Sequence, residues 1–164
     1  MEAKIEIKNK RIENRELIAD LVVQSSQLKL KSVPNHLVPN LIDEIPILSV
    51  VAAFSDGQLK LDGIGELRVK ESNRLDAIQG ILKTLGVKYS QRNNSLEITG
   101  AGKSYAFDGG SFNSFGDHRI AMCAAISSVR STGDVYIDDI ESIVTSFPNF
   151  FSNLEHLGFK LINS

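Results

Sequence analysis

Only one cysteine, Cys123, occurs in the 164-residue chain. An intrachain disulfide is therefore impossible, and Cys and His residues nowhere have the spacing of a metal site. Cys123 lies in the apolar run Ile120-Ala121-Met122-Cys123-Ala124-Ala125-Ile126 and reads as a small buried hydrophobe. An excess of one charge is missing too: 18 basic against 20 acidic residues leave a net charge of −2. Such a balance gives no bulk attraction to nucleic acid or to an anionic membrane, so an anion site has to be local. Uninterrupted apolar runs stay short of the roughly 18 residues that a membrane span needs, and Met1-Glu2-Ala3-Lys4 does not read as a signal peptide. The default expectation is a reducing, cytoplasmic setting without metal or cofactor. Gly100, Gly102, Gly109 and Gly110 lack the strand–GxGxxG–helix context of a phosphate loop and read as turns. Phe112, Phe115, Phe147, Phe150 and Phe151 are not interleaved with a basic stripe, so they read as core. His36 and His156 have no recognisable partner and read as surface residues.

The chain has an ordinary supply of core: 42% hydrophobic and 23% charged residues, close to the average globular protein. Residues 1–40 read as strands and turns, with alternation at Ile5-Glu6-Ile7-Lys8 and apolar stretches at 18–23 and 28–30, punctuated by Pro34 and Pro39. A pattern then occurs twice. Asp43 opens an apolar helix over 44–54, a turn at Asp56-Gly57 leads to a strand at 58–61, and a polar loop leads to a helix over 73–85 stopped by Gly86. Strands at 87–90 and 95–99 follow. In the second copy Asp117 opens a helix over 118–129, a turn at Thr132-Gly133 precedes a strand at 134–137, and Pro148 starts a helix ending before Gly158 and a strand at 159–162. Asp43 and Asp117 are 74 positions apart, and Gly86 and Gly158 are 72 apart. The spacing predicts an α/β fold of repeated βαβαββ units. The second copy lacks a last strand, which the N-terminal strand or a segment outside the chain could supply.

Four helix starts follow: Asp43, Ser72, Asp117 and Ser146, all residue types that cap helices. Arg74 and Arg119 fall in first turns, where the helix dipole disfavours a cation. With Arg68 and Lys70 nearby, a bound anion would relieve the breach, as phosphate or carboxylate does at helix N-termini. Equally, both side chains could turn outward or pair with neighbouring carboxylates. Asp43 and Glu71, in different surroundings, could divide base and acid roles. His118 could donate a hydrogen bond or titrate near neutrality, or be purely structural.

The segments "DEIPILSVVAAF", "ELRVKESNRLDAI", "FGDHRIAM" and "TSFPNFF" occur in this order. Together they resemble the C-terminal part of the 5-enolpyruvylshikimate-3-phosphate synthase family, from about Ile5 to the end. The resemblance implies two lobes of three βαβαββ units each. The whole chain, 1–164, would be a single partial lobe with about two of three units (41–100 and 101–164, with 1–40 completing them), the N-terminal lobe being absent. It implies transfer of the enolpyruvyl group of phosphoenolpyruvate to the 5-hydroxyl of shikimate 3-phosphate, with release of phosphate, in the shikimate pathway to chorismate and aromatic amino acids. Carried over by motif, Asp43 and Glu71 would be catalytic carboxylates. Asp43 and Lys70 would contact shikimate 3-phosphate, and Arg74, Arg119 and His118 would contact phosphoenolpyruvate. The missing lobe would be the main partner, and the chain alone would be inactive. Two positions depart from the pattern. Thr145 stands where many members have Lys, and Glu66 where many have Asn. Other readings are a fragment similar to UDP-N-acetylglucosamine enolpyruvyl transferase, which would not be expected to carry "GDHR", and a non-catalytic module of the same fold.

Overall fold

A computed structural model describes residues 1–162 of the chain. The first two strands, β1 (Lys4–Glu13) and β2 (Glu16–Gln24), form an antiparallel hairpin. Its register pairs Ile5 with Val23 and Ile7 with Leu21, so these four side chains share one face. All four are between 53% and 67% exposed, which makes this an apolar sheet face without cover among the described residues. Among the described residues β1 pairs with no strand but β2, so the N-terminal strand does not complete the second unit as the sequence allowed.

The first unit begins with residues 28–33, which run alongside residues 56–60. Leu30 N–H donates to the Asp56 carbonyl and Val33 N–H to that of Lys60. The chain then passes through a short helix, α1 (Val38–Leu41), and a 3-10 turn, Ile42–Glu44, into α2 (Ile45–Ala53). Pro46 sits in the first turn of α2, where its missing N–H costs nothing. After β3 (Gln58–Leu61), the 3-10 turn Gly65–Val69 leads to α3 (Arg74–Thr84). Leu75, Ile78, Ile81 and Leu82 give α3 its buried stripe, and Gly86 ends it at φ +68°. The N-cap of α3 is Asn73, which accepts from the Asp76 N–H, and not Ser72. β4 (Tyr89–Arg92) and β5 (Ser95–Thr99) close the unit in the order β3-β5-β4, all antiparallel.

The second unit repeats this plan up to a point. β6 (Gly110–Asn113) and β7 (Val135–Asp138) pair in parallel around α4 (His118–Ser127). The predicted polar loop after β7 contains a helix, α5 (Glu141–Ser146), and α6 (Phe150–His156) follows. Ser146 therefore ends a helix instead of capping one, and Pro148 lies in the turn before α6. Residues 159–162 form no strand, and they pair with none of the strands among the described residues.

The larger core fills the space between the three-stranded sheet and α2, α3 and α4. Leu59, Leu61, Leu96 and Ile98 are completely buried there. A smaller core joins Ala121 and Ala125 of α4 to Ile143, Phe150 and Leu154. α4 thus packs on both sides, which explains its small residues. Asn35–Ala53 is one helical stretch of 19 residues with mean hydropathy 1.3, long and apolar enough to cross a membrane, although Asp43 and Glu44 interrupt its apolar run. Here Val38, Ile42, Ile45, Val50, Ala52 and Ala53 from this stretch lie in the larger core.

Candidate active site

Three chain segments meet at one end of the fold: the 3-10 turn before α2, the residues leading into α3, and the start of α4. Arg74 is at their centre. It is the first residue of α3, and its side chain is 1% exposed. Its Nε donates to Asp117 Oδ2 at 2.8 Å, its Nη1 to Asp43 Oδ1 at 2.8 Å, and its Nη2 pairs with Glu71 Oε2 at 2.5 Å. Asp117 is fully buried and has two further donors, the Ser72 hydroxyl and the Arg119 backbone N–H, both at 3.0 Å. It therefore caps α4, as its position suggested, and also ties the two units together across 43 residues of sequence.

Arg119 reaches back to the first unit. Its Nη1 donates to the Asp43 carbonyl at 2.9 Å and to Glu44 Oε1 at 2.8 Å. Lys70 lies beside them, with Nζ 2.6 Å from Glu66 Oε1 and 3.3 Å from Asp43 Oδ1. Asp43 is consequently not a helix cap. It lies in the 3-10 turn and makes no capping bond, since its carboxylate is engaged by Lys70 and Arg74. Arg68 turns away, donating to the Asn93 carbonyl and lying near Asp76. His118 is the half-buried first residue of α4, and its ring makes no hydrogen bond among the described residues. Thr145 and Ser146 are exposed on α5.

The electrostatics differ from a bare cationic wall. Lys70, Arg74 and Arg119 face five carboxylates: Asp43, Glu44, Glu66, Glu71 and Asp117. Of the alternatives left by the first-turn arginines, pairing with carboxylates is the one adopted. For Asp43, burial disfavours charge, but Lys70, Arg74 and Arg119 outweigh it and hold the carboxyl below its usual range. Burial likewise works against Asp117, and the bonds from Arg74, Arg119 N–H and Ser72 overcome it in the same direction. Glu66 is foremost in raising Lys70, with Asp43 adding to it. Arg74 is raised as well, its burial being outweighed by Asp117, Glu71 and Asp43. Burial pushes the Cys123 thiol up to about 12, so it is no nucleophile.

Chemically, the arrangement offers the carboxyl groups of Asp43 and Glu71 at the solvent edge, each about half exposed, backed by a buried guanidinium. Such groups can accept or return a proton, while Lys70 and Arg119 can meet an anion. Asp43, Lys70, Glu71, Arg74 and Arg119, all singled out in the sequence, form one network. Glu44 belongs to it without having been selected, Glu66 had been noted as a departure from the family pattern, and Ser72 and Asp117 had been singled out as helix starts. Nothing in the spacing reveals which carboxylate faces which cation 31 to 75 residues away.

The whole of residues 1–154 matches the family model for EPSP synthase (3-phosphoshikimate 1-carboxyvinyltransferase). A 3-phosphoshikimate 1-carboxyvinyltransferase from Caldicellulosiruptor saccharolyticus is 43% identical over 154 residues, covering 94% of this chain and 35% of the relative. One from Synechococcus elongatus is 41% identical over 157 residues, covering 96% of this chain and 34% of the relative. Two solved structures of EPSP synthase from Acinetobacter baumannii superpose with TM-scores of 0.89 and 0.91, at 37% and 34% identity. They cover 94% and 99% of this chain but only 36% and 37% of their own. This chain spans about a third of the length of the relatives it matches, and it belongs to the EPSP synthase family.

Proposed function

We propose that this chain forms one wall of the active site of a 3-phosphoshikimate 1-carboxyvinyltransferase. The reaction joins phosphoenolpyruvate to shikimate 3-phosphate. The 5-hydroxyl oxygen bonds to the central carbon of phosphoenolpyruvate while the hydroxyl loses its proton and the vinyl methylene gains one. The resulting tetrahedral adduct then gives up a methyl proton and its phosphate, restoring the double bond. The observation that carries this reading is the meeting of Asp43, Lys70, Glu71, Arg74 and Arg119 from three separated segments in one network.

Asp43 and Glu71 are the proton-transfer groups, and their half exposure supports access to a bound hydroxyl and vinyl carbon. Lys70 takes the phosphate of shikimate 3-phosphate, while Arg74 and Arg119, with His118 beside them, take phosphoenolpyruvate. Arg74 is buried and already bound by three carboxylates, so it acts by holding Asp43 and Glu71 in place until a substrate anion shares it. The other wall would come from the N-terminal lobe. The bare face of the β1–β2 hairpin suits packing by a preceding segment of such a chain. On this reading the chain is a single partial lobe of a cytoplasmic enzyme that needs no metal or cofactor.

Phosphate release from phosphoenolpyruvate and shikimate 3-phosphate, followed with the full-length protein containing this chain, tests the proposal. Turnover dependent on both substrates is expected, with none from the 164-residue chain alone. A full-length protein that binds neither substrate refutes it.

A further inference from the structure

Glu66 lies at the mouth of the network, and its carboxylate is 2.6 Å from the Lys70 ammonium. The turn that carries it is firmly held. Leu67 is completely buried, Ile64 N–H donates to the Asn94 carbonyl at 3.0 Å, and Arg68 donates to that of Asn93 at 3.0 Å. Gly65 lies so close to the Asn94 side chain that an added Cβ would come within 2.9 Å of it. The side chain of Glu66 is nonetheless about half exposed, whereas that of Lys70 is mostly covered. The backbone thus delivers a carboxylate to a fixed place, on a side chain free to swing into water.

Lys70 has three N–H donors. One meets Glu66 and another faces Asp43 at 3.3 Å. A phosphate arriving at Lys70 meets the charge of Glu66 at close range. Either both anions crowd one ammonium, or Glu66 leaves. Glu66, the exposed partner, can trade Lys70 for water, so its displacement costs little and the exchange is reversible.

We propose that Glu66 is a resident counter-ion of Lys70 which a phosphate-bearing ligand displaces, so that Glu66 lowers the affinity of the site for phosphate. The proposal rests on the reading of Lys70 as a phosphate contact, and it assigns Glu66 a role in setting specificity. A ligand lacking phosphate leaves the Glu66–Lys70 pair intact and gains nothing from the ammonium. A ligand with phosphate exchanges one anion for another of higher charge.

Inorganic phosphate, titrated into the chain and followed by amide and Lys70 side-chain NMR shifts, tests this directly. Glu66→Gln should bind phosphate about three- to fivefold tighter than wild type, the range expected for removing an exposed competing charge. Glu155→Gln on α6 removes a charge far from the site and should change nothing. In a Lys70→Met background, Glu66→Gln should lose its effect. Unchanged or weaker binding by Glu66→Gln overturns the proposal, as does an equal gain from Glu155→Gln, or a gain that survives Lys70→Met. Absence of phosphate binding by both wild type and Glu66→Gln also overturns it. None of these measurements uses enolpyruvyl transfer, so a failure of the transferase reading would be seen separately, in the turnover assay.

Discussion

Asp117→Ala should cost the fold far more than a helix cap. Loss of an Asp cap by itself costs about 1 kcal/mol. Asp117 also bonds Nε of Arg74, and both side chains are at most 1% exposed. Removing one member of a buried ion pair typically costs about 3–5 kcal/mol, because the other charge is left without a partner. Asp43 and Glu71 still hold the far side of the guanidinium, which moves the expected loss to the lower part of that range. The total is about 4–5 kcal/mol, or roughly 8–20 °C in Tm for a chain of this size. Asp117→Asn keeps one oxygen, which can take the place of Oδ1 at the cap or of Oδ2 at Nε but not both, so one buried donor is left without an acceptor and about 1–3 kcal/mol should be lost. Urea unfolding at pH 7, followed by far-UV circular dichroism, measures both. A cycle with Arg74→Met separates pairing from capping. In the Asp117→Ala background, Arg74→Met should cost little or restore stability, since it removes the orphaned cation. If Asp117→Ala loses about 1 kcal/mol or less, or if the two losses simply add, the buried pair does not join the units as argued.

The acid side gives a second test. The folded pKa values of Asp43 and Asp117 are depressed, so their contribution is present above the unfolded value near 4 and lost as pH falls through the folded values; urea midpoints taken from pH 6 to pH 2 should drop below about pH 4, and less steeply in Asp117→Asn. In the full-length protein, Arg119→Ala should raise KM for phosphoenolpyruvate roughly 10- to 100-fold, the usual cost of a charged hydrogen bond, with KM for shikimate 3-phosphate nearly unchanged; equal effects on both would sink the assignment. Gly109→Ala should destabilise the chain by about 2–3 kcal/mol, because φ is +86° and an added Cβ would lie 2.3 Å from the Asp134 carbonyl oxygen; a neutral outcome in thermal unfolding would contradict that close approach. Ile7→Lys should cost this chain less than about 0.5 kcal/mol, as expected for an exposed site, and a large loss would show that the hairpin face is covered.

The helices were legible where side-chain periodicity is strong. Leu75, Ile78, Ile81 and Leu82 announce the buried stripe of α3, and Gly86 its end. The small helix α5 was not legible. Its six residues, Glu-Ser-Ile-Val-Thr-Ser, include five with weak helix propensity, and only Ile143 is buried; packing against α4, not propensity, makes it a helix. Residues 159–162 carry strand-like residues but lack a partner strand, and β pairing is a property of two segments.

For the site, sequence by itself determined the chemistry available: the carboxylates, the lysine and the arginines, their placement at helix starts, and the motifs that mark the family. The tertiary structure alone decided their state. Helix-dipole reasoning leaves open whether Arg74 and Arg119 meet a bound anion, turn outward or pair with carboxylates, because it sees only their own helices. Folding brings Asp117 and Asp43 to Arg74, and Glu44 to Arg119, from segments far away in the chain, to join Glu71 three residues before Arg74. A Coulomb interaction depends on distance and burial, neither of which is written in residue order. Among the described residues these side chains therefore form a carboxylate-rich, ion-paired network.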